Sequence, residues 1–200
     1  MFKRAGAAII EKSQQLSELD MIGDADFGAN ISSGFEKILV RLSELQDPDV
    51  GTILSTAGQV FVFDIGSTIG GLIGRGFQNA GKQLQGRREL NAHDLVAFLE
   101  TILQTIEQVG GAKVGDKTLL DALYPAVTAV NEAVKSGVTN VERLLEIATS
   151  AAEQGANSTV NMVARIGRAS YLGERSRGTV DPGAMFIFIF LNAMAQTSHV

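Results

Sequence analysis

Residues 141–152 read VERLLEIATSAA, and this stretch decides the fold class. Its apolar side chains recur at intervals that place them on one side of a helix: Val141, Leu144, Leu145, Ile147 and Ala148. The other side carries Glu142, Arg143 and Glu146. A helix with this division packs its apolar face into a helical bundle.

The same helical spacing extends over most of the chain, and no stretch shows the sustained alternation and tight turns of a hairpin. The sequence therefore predicts an all-α fold in a single domain, residues 1–200. The eight predicted helices have ends uncertain by about two to four residues and cover residues 2–18, 29–46, 48–62, 67–83, 92–108, 117–135, 139–164 and 183–197.

Several helix starts carry capping signals. Asp-Pro pairs at 47–48 and 181–182 place a capping carboxylate before a proline. Asn91 is followed three residues later by Asp94, which is the spacing of a capping box. The apolar run AMFIFIFLNAMA, residues 184–195, is shorter than the roughly 20 residues of a membrane span. It is interpreted as a buried helix.

Composition excludes several classes of function. The chain has no cysteine, which removes disulfides, thiolate nucleophiles and cysteine-zinc sites and is compatible with a reducing compartment. Its net charge of -5 gives no basic footprint for nucleic acid. The first residues mix apolar side chains with Lys3, Arg4, Glu11 and Lys12, unlike a secretory signal. We expect a soluble, cytoplasmic protein.

Glycines concentrate in four connections between the predicted helices. These connections read IGDADFG (22–28), DIGSTIGG (64–71), VGGAKVGDKT (109–118) and GRASYLGERSRGTVDPGA (167–184). A bundle needs only short turns, so connections of this kind suggest backbone brought close to a ligand. Glycines at this density also permit close helix packing, which is the alternative for residues 64–77.

Three carboxylates, those of Asp20, Asp24 and Asp26, stand close together just before a predicted helix. They repel one another unless a cation joins them. Magnesium suits them because it takes oxygen ligands and completes its shell with water and substrate phosphates. The alternative is that they cap helices and bind turn amides, as Asp commonly does. The clustering favours a metal site.

These four connections resemble the motifs of one known family, the L-type or Dak2-type nucleotide-binding domain of dihydroxyacetone kinases. The family motif Asp-x-x-Ile-Gly-Asp-x-Asp-His-Gly matches residues 20–28, here called the aspartate loop. The resemblance implies an antiparallel barrel of eight helices with nucleotide bound among the loops at one end. It also implies that Asp20, Asp24 and Asp26 hold Mg²⁺ against the phosphates of ADP.

The aspartate loop departs from the family motif in two places. Only Met21 separates Asp20 from Ile22 where the family has two residues, and Phe27 replaces the family histidine. A phenyl ring cannot replace a hydrogen bond from histidine to phosphate. Gly28, Ala29 and Asn30 follow at a predicted helix start, where free amides and the helix dipole favour an anion.

The second and third connections align with further family motifs. The resemblance places Thr68 and Ile69 against nucleotide phosphate, although isoleucine offers only its backbone there. It places Gly110 and Leu119 near the base or ribose. Taken locally, Asp116 is interpreted as the cap of the helix that begins near residue 117.

The longest match is residues 167–184, which follow the family pattern without interruption. It implies that Arg168 and the turn Asp181, Pro182 and Gly183 contact the nucleotide. Arg175 and Arg177 could bind phosphate or a partner's carboxylates, and the alternative is a solvated loop or an internal ion pair with Glu174.

The resemblance implies a phosphotransferase subunit of the phosphotransferase-system type, which the chain length favours. ADP would stay bound, be recharged by a phosphohistidine on an M subunit, and pass phosphate to dihydroxyacetone held by a K subunit. Neither His93 nor His199 has a catalytic context, and no catalytic residue is assigned. Two alternatives stay open: a nucleotide-binding adaptor that signals to a transcription regulator, and an ATP-dependent kinase half acting on another ketose or sugar acid.

Overall fold

The computed structural model describes residues 1–21, 23 and 25–196. Nine α-helices form within that part of the chain, and none of its residues is in a strand. The all-α prediction is confirmed. The helices are α1 (Phe2–Glu11), α2 (Ser13–Leu19), α3 (Phe27–Glu44), α4 (Val50–Phe63), α5 (Thr68–Gln83), α6 (Ala92–Gly110), α7 (Leu120–Lys135), α8 (Val141–Ser158) and α9 (Pro182–Ala195). Two 3₁₀ segments, Thr159–Asn161 and Arg168–Ser176, join α8 to α9.

The helices pack in an order that closes on itself. Each helix from α3 to α9 packs against the next, and α9 returns to α1, which packs on α3. Aromatic rings fill the space they enclose: Phe35 has no exposed surface and its ring lies near those of Phe2, Phe61, Phe186 and Phe190. Because this core is apolar, the polar groups that could bind a ligand lie in the connections at the helix ends.

The predicted buried helix at 184–195 is confirmed as α9. Its residues are apolar on every side, and most are buried because α1, α7 and α8 surround it. Asp181 caps it through a hydrogen bond from the Ala184 amide at 2.7 Å, with Pro182 in the first turn. No helix in the described part of the chain is long and apolar enough to cross a membrane.

The predicted cap of α4 is wrong. The helix expected at residue 48 begins at Val50, where Asp49 accepts hydrogen bonds from the amides of Thr52 at 2.6 Å and Gly86 at 2.7 Å. Asp47, the predicted cap, instead pairs with Arg88. Asp49 is the cap because its one carboxylate accepts hydrogen bonds both from an amide at the start of α4 and from an amide in the α5–α6 connection. The capping box of Asn91 and Asp94 is confirmed.

Helix ends differ for reasons that lie in tertiary structure. The first predicted helix is divided at Lys12, where ψ is 8°, and both halves pack against α3 and α9. The helix predicted to reach residue 164 ends at Ser158. The hydroxyls of Ser158 and Thr159 bond to carbonyls of its last turn, at 2.7 and 2.6 Å, and the chain becomes extended at Met162.

Glycines bring α4 and α5 into close contact. A Cβ atom on Gly58 would lie 2.6 Å from the Gly74 carbonyl oxygen, and one on Gly74 would lie 2.9 Å from that of Gly58. Real Cβ atoms do not approach backbone so closely, so these two positions require glycine. The close-packing interpretation therefore holds for Gly74, while Gly66 and Gly71 have open space around them.

Candidate functional site

A cleft of about 760 Å³ opens where the starts of α3, α5 and α9 meet the connections after α6 and α8. Most of the residues predicted for the site line it: Asp20, Asp26, Phe27, Asn30, Thr68, Ile69, Gly110, Leu119, Arg168, Asp181, Pro182 and Gly183. The fold thus gathers residues from four separate connections into one cavity. Its volume is typical of small-molecule sites.

Asp20 and Asp26 from the aspartate loop line the cleft. The Asp20 carboxylate accepts a hydrogen bond from the Phe27 amide at 3.2 Å, at the start of α3. Asp26 is exposed, lines the cleft and makes no capping hydrogen bond to α3. Asp24 and Ile22 lie outside the described residues. Within the described chain, no three acidic or histidine side chains are grouped closely enough to hold a metal.

Asp20 and Asp26 fit a magnesium ion in their chemistry, because both offer hard carboxylate oxygens to the same cleft. The capping interpretation is also partly right, since one Asp20 oxygen already serves a helix start. A carboxylate has two oxygens and can serve both purposes.

The residues that follow Asp26 divide between cleft and core. Phe27 is buried, and its ring meets Phe186 edge to face at 6.3 Å, which makes it part of the apolar core. Asn30 lines the cleft, whereas Gly28 and Ala29 do not. Gly28 faces α2, because a Cβ atom there would lie 2.0 Å from the Ser13 carbonyl oxygen.

The start of α5 presents backbone amides to the cleft. Ser67 caps the helix by accepting a hydrogen bond from the Gly70 amide at 3.1 Å. Thr68 and Ile69 come next, and amides in a first turn have no partner within their helix. Such amides and the positive helix end favour an anion. Arg75, two turns further along α5, is exposed and lines the same wall, and the sequence analysis missed it.

Part of the cleft lining is apolar. Leu119 is buried and lies beside the cleft together with Gly110, Leu72, Ile106 and Val109. Apolar walls with a few polar groups at one end are typical of sites for small molecules and cofactors. This arrangement can take a flat base on one side and a phosphate chain on the side of the aspartates.

Residues 159–180, here called the covering segment, run from the end of α8 to the cap of α9. Ile166, Gly167, Arg168 and Ala169 from this segment line the cleft. Arg177 pairs with Glu174 at 2.6 Å and also bonds to the Asn161 carbonyl, so the internal ion pair is confirmed for this residue.

The loop before α7 is held differently from the prediction. Asp116 does not cap α7; its carboxylate accepts a hydrogen bond from the Lys113 amide at 2.8 Å within the loop. The buried Asp121 organises the loop from inside the helix, accepting from the amides of Gly115 at 2.5 Å and Thr118 at 2.7 Å. A carboxylate in the first turn of α7 can bend back to these amides, whereas Asp116 precedes the turn.

Lys117 is a functional candidate that the sequence analysis did not single out. It lines the cleft, is only 4% exposed, and has a positive φ of 62°. The resemblance of residues 109–118 to a family motif was the only signal in the sequence for a role of Lys117. A lysine between Asp and Thr otherwise predicts a solvated turn.

Asp181 combines a cap with an unusual charge environment. Burial raises its pKa to about 7, and the nearby Asp121 carboxylate adds to the rise, while the Ala184 amide and Lys117 oppose it. Desolvation of the charged form is the largest cause. Near neutral pH this carboxyl group is therefore poised between its charged and neutral forms.

This pKa leads to a prediction about stability. A carboxyl group whose folded pKa exceeds its unfolded value of 3.8 favours the folded state at low pH, and this advantage is lost as pH rises through the folded pKa of about 7. Asp181→Asn keeps an oxygen for the Ala184 amide and removes the charge. Without nucleotide or magnesium, we expect wild type to lose about 3 kcal/mol relative to the variant between pH 4.5 and pH 8.

Urea unfolding of both proteins across that pH range provides the measurement. Every other titrating group is common to the two proteins, so the difference between their curves isolates Asp181. Parallel curves would show that the carboxyl group titrates at its ordinary value.

Comparison with known proteins identifies the family. The DAK2 domain model matches residues 21–196. The chain belongs to the DAK2 domain family. The ADP-binding subunit DhaL of PEP-dependent dihydroxyacetone kinase from Escherichia coli is 37% identical, with 96% of this chain and 91% of that protein covered. The corresponding subunit of dihydroxyacetone kinase 1 from Listeria innocua is 35% identical over the same shares.

Other DAK2 relatives are much longer than this chain. The L-erythrulose 1-kinase of Mycolicibacterium smegmatis is 33% identical over 93% of the chain but only 33% of the relative. The crystal structure of the C. freundii dihydroxyacetone kinase superposes with a TM-score of 0.76 and 27% identity, covering 97% of this chain and 33% of that one. A structure of the same kinase in complex with AMP-PNP and Mg²⁺ superposes with a TM-score of 0.74. The predicted family is confirmed.

Proposed function

We propose that this chain is the ADP-binding subunit of a dihydroxyacetone kinase that uses phosphoenolpyruvate through the phosphotransferase system, and that residues 1–200 act as one nucleotide-binding domain. One observation carries the proposal: a single cleft holds Asp20, Asp26, the amide end of α5 and Arg168. The names and close lengths of the bacterial relatives support the same assignment.

We assign the diphosphate of ADP to the aspartate side of the cleft. Magnesium there would join the carboxylates to phosphate oxygens and offset the negative charge that grows during transfer. Asp20, Asp24 and Asp26 would hold it. The amides of Thr68 and Ile69 and the guanidinium group of Arg168 stabilise the remaining phosphate charge, and Asn30 adds a polar side chain.

We assign the base of the nucleotide to the apolar wall. Gly110 and Leu119 both line the cleft, and Leu119 contributes a buried apolar surface. Asp181, Pro182 and Gly183 line the same cleft, and we assign them to contacts with the nucleotide. With the phosphates fixed and the base held, the protein supplies position and electrostatic stabilisation, which are the main requirements of phosphoryl transfer.

The proposal includes two protein partners, a K subunit carrying dihydroxyacetone and an M subunit as phosphoryl donor. Exposed apolar side chains next to cleft-lining positions support docking of a partner at this end. Phe63 is 78% exposed, three residues before Gly66, and Tyr171 is 90% exposed, two residues after Ala169. We propose that these two side chains take part in the docking of a partner. The absence of cysteine fits a reducing compartment, and we propose the cytoplasm.

The test combines the purified chain with K and M subunits, the general transfer proteins, phosphoenolpyruvate and dihydroxyacetone. Triose phosphate should form without added ATP, and mass spectrometry of the native protein should find bound ADP. Bound ADP with no triose phosphate would instead favour the adaptor that acts on a transcription regulator, a role that the buried Phe27 in place of histidine would suit.

A second candidate is an ATP-dependent kinase half acting on another ketose. It is favoured by the similarity to L-erythrulose 1-kinase. The two candidates separate when ATP replaces phosphoenolpyruvate and the M subunit. Turnover with ATP alone would support the kinase half, and turnover that requires the M subunit would support the first assignment.

A further inference from the structure

The side chain of Lys117 enters a cage of backbone carbonyl groups. Its Nζ atom lies 2.6 Å from the Ser176 oxygen, 2.7 Å from that of Thr179 and 3.0 Å from that of Thr159. A fourth oxygen, from Met162, is 3.5 Å away. The three short contacts match the three N–H donors of an ammonium group. No carboxylate is among these four acceptors.

All four carbonyls belong to the covering segment. Their positions are 42 to 62 residues from Lys117 in sequence, and they lie at both ends of the segment. The part between them carries Arg168 and the other residues that line the cleft. A single side chain therefore fastens both ends of the loop that forms one wall of the site.

Lys117 is itself held in place from the other direction. Asp121 binds the amides of Gly115 and Thr118 on either side of it. The backbone at Lys117 has a φ of 62°, which is unfavourable for a side chain larger than glycine by about 1–2 kcal/mol. Such strain persists where surrounding contacts over-determine it. Here those contacts are the carbonyl cage around the ammonium group and the two hydrogen bonds that backbone amides donate to the Asp121 carboxylate.

Burial lowers the pKa of Lys117, and the nearby Arg177 lowers it further, while the Asp181 carboxylate opposes the change. An ammonium group in such a place is retained only where hydrogen bonds replace its water. Surface lysines do not need this arrangement: Lys37, for comparison, is exposed and makes one bond of 3.2 Å to the Asp64 carbonyl.

We propose that Lys117 is a positioning residue that fastens the covering segment over the cleft and thereby sets how long a nucleotide stays bound. The fastening itself follows from the carbonyl cage alone. The effect on nucleotide residence rests on the proposed function. The two parts have separate measurements, so a failure of one is distinguishable from a failure of the other.

The first measurement is hydrogen exchange in the protein without nucleotide. In Lys117→Met, amides of residues 159–180 should exchange about tenfold faster or more, because hydrogen bonds to a charged group each contribute about 1.5–3 kcal/mol. Amides of α4 and α5 should stay unchanged. Lys37→Met is the matched control, which removes an exposed lysine-to-carbonyl bond and should leave the covering segment as in wild type. Unchanged exchange in this segment, or an equal rise in every helix, would overturn the fastening.

A second variant separates the ammonium group from the backbone strain and covers the case in which Lys117→Met does not fold. Lys117→Gly adopts positive φ without cost and leaves the cage vacant. Added ammonium chloride should slow exchange of residues 159–180 in this variant several-fold, whereas tetramethylammonium chloride at equal concentration, which has no N–H donor, should not. Equal exchange in the two salts contradicts the proposal.

The nucleotide part is tested by stopped-flow release of a fluorescent ADP analogue. Lys117→Met should release it about tenfold faster than wild type, in proportion to the opening of the covering segment, while Lys37→Met should match wild type. Faster exchange of the segment with unchanged release would overturn the role in residence and leave the fastening intact. Absence of ADP binding by wild type would count against the proposed function alone.

Discussion

Asp26→Asn is expected to weaken binding of ADP in the presence of magnesium by about 100-fold or more, because a charged oxygen ligand is lost from the cation. Asp26 is well suited to this test. Its side chain is exposed in the cleft and makes no capping bond to α3, so its loss should leave folding intact. Isothermal titration with Mg²⁺ and ADP measures the change.

The control for Asp26 is Asp47→Asn. Asp47 is another exposed loop aspartate, paired with Arg88 and absent from the cleft lining, so ADP binding should be as in wild type. Chelation of magnesium with EDTA should reduce wild type to the affinity of Asp26→Asn. A variant that binds magnesium-ADP as tightly as wild type would exclude Asp26 from the metal site.

Gly28→Ala is expected to lower the free energy of unfolding by about 3 kcal/mol, at the upper end of the usual cost of overpacking. The added Cβ atom would lie 2.0 Å from the Ser13 carbonyl oxygen and 2.7 Å from the Ser17 amide nitrogen, both backbone atoms of α2. Backbone cannot rotate aside as a flexible side chain does. Helix α2, which ends just before Asp20, and helix α3, which begins just after Asp26, would have to separate.

Gly71→Ala is the matched control, since Gly71 also lies within a helix but has open space at its Cβ position. Alanine there should raise stability by about 0.5–1 kcal/mol, the usual advantage over glycine inside a helix. Urea unfolding monitored by circular dichroism compares the two variants. If Gly28→Ala raises the free energy of unfolding as Gly71→Ala does, α2 and α3 do not approach each other closely at Gly28.

The sequence predicted local structure well where the signal is local. The capping box of Asn91 and Asp94 and the Asp181 cap need only neighbouring residues, and both are present. Predictions failed where two candidate caps competed. Asp49 caps α4 in place of Asp47 because its carboxylate also accepts a hydrogen bond from the distant amide of Gly86. Residue spacing near the start of α4 does not indicate that this amide lies close by.

The candidate site shows the same division. Motif resemblance selected residues in four connections, and the fold brings most of them to one cleft. It could not tell that Gly28 faces α2, nor that the ring of Phe27 lies in the core beside Phe186. Those outcomes depend on which side of α3 meets its neighbours, and that is set by packing between helices.

The amino-acid sequence by itself determined that the chain is helical, that its helices bury apolar faces, and that clustered aspartates, glycines and arginines occupy the connections. Periodicity and residue chemistry are properties of short stretches, so one sequence is enough to read them. Only the tertiary structure decided that Lys117 enters a cage made by residues 42 to 62 positions away. Such a contact exists because helix packing brings the loop before α7 and the covering segment together. No pattern within either stretch of sequence predicts it.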